Sequence, residues 1–145
     1  MEDYEEKKQQ LLLKQNLCCQ SCKNKFTESD TIELAHGIRQ SKYNLKTFSP
    51  LVIDHVLNLS ATHKGNCNDR CNINDSSTVA VQERLIDILS SLVLDDPIMF
   101  QYKAMNQAFD NILTVGSERK LYTDNPVYLG QYKLLHDFFR MYKAL

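Results

Sequence analysis

The spacing of apolar residues changes twice along the chain, and those changes divide it into three parts. Residues 2–16 place acidic side chains ahead of good helix formers and a later Lys, an order that suits a short helix aligned with its dipole and packed through Leu11, Leu12 and Leu13. From 17 to 76 the long helical period is missing. Thr31 to His36 alternates instead, with Ile32 and Leu34 apolar, which predicts a short strand ending at Gly37. Val52 to Ser60 is read as a second extended segment. The connection between them is roughly 15 residues, a length at which a functional role is the favoured explanation.

After Ser77 the helical period returns. Val81, Leu85, Ile88, Leu89 and Leu92 share one face, with Ser77 or Thr78 as N-cap and Asp95-Asp96-Pro97 as the stop. A second helix is expected from Pro97, at its first turn, through Phe100, Met105, Phe109 and Leu113 to Gly116. A third should begin near Pro126 and use Tyr128, Leu129, Tyr132, Leu135, Phe139 and Tyr142, whose periodic aromatics are assigned to packing. The pattern predicts an α+β chain. Its parts are an N-terminal helix (1–17), a small module (18–76), and a mainly α-helical extension (77–145) that supplies core or dimerisation surface.

With 145 residues and 43% hydrophobic content, one compact domain is affordable and two are not expected. The formal charge of −1 gives no global attraction to a polyanion, so nucleic-acid contact would need a local basic cluster. The acidic start lacks the order of a secretory signal, and the most apolar stretch, Leu85 to Leu94, is broken by Asp87, Ser90 and Ser91. A cytoplasmic protein with no membrane partner is expected. Thiols stay reduced there, and the five cysteines are an odd number, so metal ligands or buried thiols are favoured over disulfides.

Cys19-Gln-Ser-Cys22 and Cys67-Asn-Asp-Arg-Cys71 have the spacings of two turns that each present two thiolates to one Zn²⁺, closing a tetrahedral structural site. Such a site would order a segment poor in apolar residues, because metal-binding free energy becomes folding free energy. Cys18 could replace Cys19, and His63 is a further candidate for the fourth ligand in place of Cys67 or Cys71. Between Ala35 and Ile53 lie His36, Arg39, Lys42 and Lys46, with no acidic residue, a local excess suited to phosphate. Gln40, Ser41 and Asn44 could add neutral hydrogen bonds.

Cys19-x2-Cys22, Glu33-Leu-Ala-His36, Ile53-Asp-His-Val-Leu-Asn-Leu59 and Cys67-x3-Cys71-Asn72, in that order, resemble the HNH (ββα-metal) endonucleases with a zinc-binding knuckle. The resemblance covers residues 18 to about 76, and it implies a zinc-stapled core in which a β-hairpin and a helix clasp a catalytic cation. By resemblance His36 would be the general base that deprotonates the attacking water. Asn58 would tie the loop to the backbone and hold His36. Asn72, directly after Cys71 on the helix, would bind the metal, and Mg²⁺ or Mn²⁺ would stabilise the scissile phosphate. His55 joins the candidate set as support or as a phosphate or metal contact, and Asp54 is read as a turn residue.

One position departs from the pattern: many members carry a metal-binding Asp just before the catalytic His, and here it is Ala35. Either water takes up that coordination, or His55, Asp54 or Glu33 contributes. The implied function is a metal-dependent DNA endonuclease of nicking or restriction type, with a homodimer through the C-terminal helices for a symmetric double-strand cut. The alternative is a non-catalytic zinc-knuckle module that binds nucleic acid or protein.

Overall fold

The computed structural model describes residues 4–73, 77–95, 101–116 and 118–143. Helix α1 spans Tyr4–Lys14, with Glu5 and Glu6 in its first turn and Lys14 in its last, as the dipole favours. Leu11 is buried and Leu12 partly so, whereas Leu13 is 74% exposed, because three consecutive residues cannot share one helix face.

Strand β1 (Ile32–His36) pairs antiparallel with β2 (Leu59–His63), in a register that sets Ile32 opposite His63 and His36 opposite Leu59. Ile32, Leu34, Leu59 and Ala61 form a small apolar cluster with Leu11, Phe26 and Val56. The connection between the strands is structured. It holds α2 (Lys42–Phe48), α3 (Pro50–Ile53) and a 3₁₀ turn (Val56–Asn58).

The second extended segment therefore begins at Leu59 and not at Val52. Ser49 accepts from the Leu51 N–H at 3.2 Å and Pro50 follows at the first helical position, so Val52 and Ile53 are wound into α3. After β2 a single turn, α4 (Asn66–Asp69), crosses the hairpin.

Helix α5 (Thr78–Leu94) starts as its cap implied: Ser77 Oγ accepts from the Ala80 N–H at 3.1 Å. Residues Asp96, Pro97 and Phe100 lie outside the described residues. Helix α6 (Tyr102–Asp110) is followed by a 3₁₀ turn (Ile112–Thr114), so the second helical stretch changes its winding before Gly116. Helix α7 (Pro126–Lys143) closes the chain. The molecule is α+β, with seven α-helices and one two-stranded sheet among the described residues.

The larger core gathers Val81, Leu85, Ile88 and Leu89 of α5, Met105 and Phe109 of α6, and Leu135 and Phe139 of α7. It also takes in Ile38, Phe48, Val52 and Ile53 from the inter-strand connection. The segment between the strands thus folds by apolar burial against the helices, and the expectation that residues 18–76 are too poor in apolar residues to fold by burial does not hold for 38–53. None of the described helices is long and apolar enough to cross a membrane.

Candidate metal centre and histidine loop

The turn after α1 reverses through Asn16 and Leu17, both at positive φ, and brings the Cys19-x2-Cys22 knuckle to the end of β2. Within the knuckle the Lys23 N–H donates to the Cys19 carbonyl at 2.9 Å, and the Gln20 N–H donates to the Ala61 carbonyl at 3.1 Å. Cys67 arrives from α4. The ligand atoms of Cys19, Cys22, His63 and Cys67 all lie within 4.8 Å of one another, so these four side chains form a group able to hold a metal ion. Three sulfurs and one imidazole suit zinc.

One sequence expectation changes here. Cys71 is not among the four; its thiol turns back to the Cys67 carbonyl at 3.6 Å, beyond the end of α4. His63, one of the alternatives, stands in its place. The signal was present in the sequence, since His63-x3-Cys67 has the same spacing as Cys67-x3-Cys71. Cys18 points to the Asn16 carbonyl at 3.4 Å, while Cys19 is fully buried in the group.

The imidazole of His63 is held on both sides. Its Nδ1 lies 3.4 Å from Cys22 Sγ and its Nε2 lies 3.2 Å from Asp30 Oδ2, the carboxylate–histidine arrangement that orients metal ligands. Asp30 is itself fixed by the Thr27 N–H at 2.7 Å, which, with His63, keeps its carboxyl below the usual range. Asp30 was not anticipated.

Burial opposes ionisation of Cys19, but backbone groups of Cys22, His63 and Ser21, with the His63 ring, outweigh it and bring the thiol down to about 6. The same ring is raised, first by its bond to Cys19 and then by Asp30 and Cys22. Burial and the neighbouring Cys19 and Cys22 push the Cys67 thiol up. Burial, then the charge of Cys19, does the same for Cys71.

The second constellation is the loop after β1. Asn58 is 1% exposed, and its amide closes that loop: Oδ1 accepts from the Ile38 N–H at 2.8 Å, and Nδ2 donates to the carbonyls of Ile38 at 3.0 Å and Ile53 at 2.7 Å. His36 Nε2 meets Asp54 Oδ1 at 3.0 Å, and Gln40 Nε2 donates to the same oxygen at 3.0 Å. The Asp54 carbonyl accepts from Lys7 Nζ at 2.5 Å. Asp54, read from sequence as a turn residue, is the carboxylate partner of His36. A Cβ at Gly37 would lie 2.5 Å from Arg84 Nη1, the far end of a flexible side chain that would have to shift, and 3.2 Å from Asn58 Oδ1.

The remaining candidates separate. His55 Nδ1 accepts from the Leu57 N–H at 3.1 Å and so caps the 3₁₀ turn. Asn72 lies past the end of α4, and the following Ile73 N–H donates to the Gly37 carbonyl at 2.8 Å. The Asn that follows a ligand cysteine on that helix is Asn68, whose Nδ2 is 3.5 Å from Glu33 Oε1. Arg39, Gln40, Lys42 and Lys46 are exposed, while Ser41 Oγ is engaged as the α2 cap, accepting from the Asn44 N–H at 3.1 Å.

Ala35 is 1% exposed, and no second group of three His, Cys, Asp or Glu ligands gathers near His36 among the described residues. Side chains alternate along a strand, so Glu33 and Ala35 face away from His36. Among the described residues, these side chains therefore build no three-ligand Mg²⁺ or Mn²⁺ site beside His36. Comparison of the chain with family models, with curated proteins and with solved structures returns no match in any of the three.

Proposed function

We propose that Cys19, Cys22, His63 and Cys67 hold a structural Zn²⁺, and that the hairpin it staples presents His36 as the general base of an HNH-like DNA phosphodiesterase. The observation that carries this reading is the Asn58 clamp, a buried amide spent on fixing the backbone on both sides of the connection that follows His36. Asp54 orients the imidazole through Nε2, which leaves Nδ1 as the atom that would accept a proton from water as that water attacks phosphorus. The P–O3′ bond then breaks, and the leaving oxygen takes a proton from solvent. Because no group of three ligands gathers beside His36 among the described residues, no step is assigned to Mg²⁺ or Mn²⁺.

Supercoiled plasmid nicking, with each cation and without, tests the assignment. Wild-type protein should nick, and His36→Ala should lose about 10²- to 10⁴-fold in rate while keeping its zinc. Equal nicking by the two proteins would overturn it. A second reading, the non-catalytic zinc-knuckle module, is favoured by the buried Ala35 and the separation of Glu33 from His36. It predicts DNA binding without nicking under any cation. For the expected homodimer, the surface on offer is the row of Val127, Leu134 and Met141, exposed at every seventh residue of α7.

A further inference from the structure

A cleft of about 530 Å³ opens between the His36 loop and the helical part of the chain, a size typical of small-ligand sites. Its lining is mixed, with the apolar side chains of Phe48, Val81 and Val115 beside the polar ones of Ser41, Asn44 and Thr114. One wall carries Arg39 and Tyr43; the other is the start of α5 at Thr78. We propose that this cleft seats one unpaired nucleotide of a DNA strand, with the base against Tyr43 and its phosphate at Arg39. The inference rests on the reading of this loop as a DNA-facing surface and adds the part of DNA that it contacts.

Three observations favour that occupant. Tyr43 is 66% exposed on α2, so its ring is not spent on the core and stands at the rim of a cleft. The ledge that carries it is rigid, because Asn44 Nδ2 donates to the Arg39 carbonyl at 3.0 Å and Ser41 caps the helix. Lys42 and Lys46, exposed on the same helix, extend the positive surface beyond the cleft. A site for phosphate alone has no use for the apolar half of this lining, and a site for a neutral small molecule has no use for flanking cations. Aromatic rim, mixed lining and basic track together are the chemistry of single-strand binding. The positive end of the 17-residue α5 at Thr78 adds to the attraction for the phosphate.

Binding of a labelled single-stranded oligodeoxynucleotide and of its duplex, read by fluorescence anisotropy across a salt series, tests the proposal. Wild type should prefer the single strand, and Tyr43→Ala should weaken it by about tenfold or more with little change for the duplex. Arg39→Ala should lower affinity and flatten the salt dependence by about one phosphate contact. Thr114→Trp, which fills the cleft, should abolish the single-strand preference. Thermal unfolding of each variant checks that the fold is kept. Single-strand binding unchanged in all three variants would overturn the proposal, as would a wild type that binds neither DNA form. If wild type fails to nick plasmid but the Tyr43 effect is present, the nuclease reading falls and the nucleotide cleft stands; nicking with an indifferent Tyr43 gives the reverse.

Discussion

His63 occupies the place that the cysteine spacing offered to Cys71, and the exchange has a direct readout. Cys71→Ser should retain about one zinc per chain, whereas Cys67→Ser and His63→Ala should lose it, by elemental analysis after exhaustive dialysis. His63→Cys should keep the metal, since a fourth thiolate completes an equivalent site. Asp30→Asn removes the charge that holds the Nε2 side of the ring, and should cost about 10- to 100-fold in zinc affinity in a chelator competition. Asn58 offers a separate test. Asn58→Ala strands the Ile38 N–H and the carbonyls of Ile38 and Ile53 in a buried site, and should lower stability by about 3 kcal/mol or more in urea unfolding.

At the scale of elements, α5 and α7 are joined by a polar contact as well as by their apolar faces. The Tyr128 hydroxyl donates to Asp87 Oδ2 at 2.8 Å, and that bond, together with burial, pushes the phenol up to about 12. The folded state thus favours the neutral phenol. Its contribution is whole below the ordinary value of about 10 and is lost as the pH rises toward about 12. Tyr128→Phe should cost about 1.5–3 kcal/mol at neutral pH, as hydrogen bonds to charged groups do. The gap from wild type should narrow only above a pH of about 10, in denaturant titrations on both proteins.

These elements also separate what was legible from what was not. The boundaries of α5 and the start of α7 follow from a Ser cap, a Pro at the first turn and an unbroken apolar period, all local signals. The α2–α3 connection was missed because its two helices are short. Its punctuation, Ser41 before Lys42 and Ser49-Pro50 before Leu51, outweighed the strand-like run of Val52 and Ile53.

Across the whole molecule, the two apolar clusters divide the labour of stability. The helices and the α2–α3 connection share a large core, while the hairpin and α1 rest on a cluster whose buried members are Leu11, Leu59 and Ala61. Zinc should therefore stabilise the two regions unequally. Chelator treatment should deprotect the amides of Gln20, Lys23 and Ala61 in hydrogen exchange while those of Leu85 to Leu89 stay slow. Uniform loss of protection would mean that the metal supports the entire fold. Unchanged protection would mean that it supports none.

What the sequence by itself determined is what neighbours in the chain can encode: capped helices, an alternating strand at Ile32 to His36, the Cys19-x2-Cys22 turn, and a loop rich in cations. The tertiary structure alone decided which distant groups meet. Asp54 reaches His36, Asp30 reaches His63, His63 displaces Cys71, and Tyr43 comes to the rim of a cleft whose far wall is the start of α5. The reason is physical. A cap or a period is fixed by backbone geometry over a few residues, whereas each of these meetings depends on how the hairpin, α4 and the α2–α3 connection pack, which no local spacing specifies.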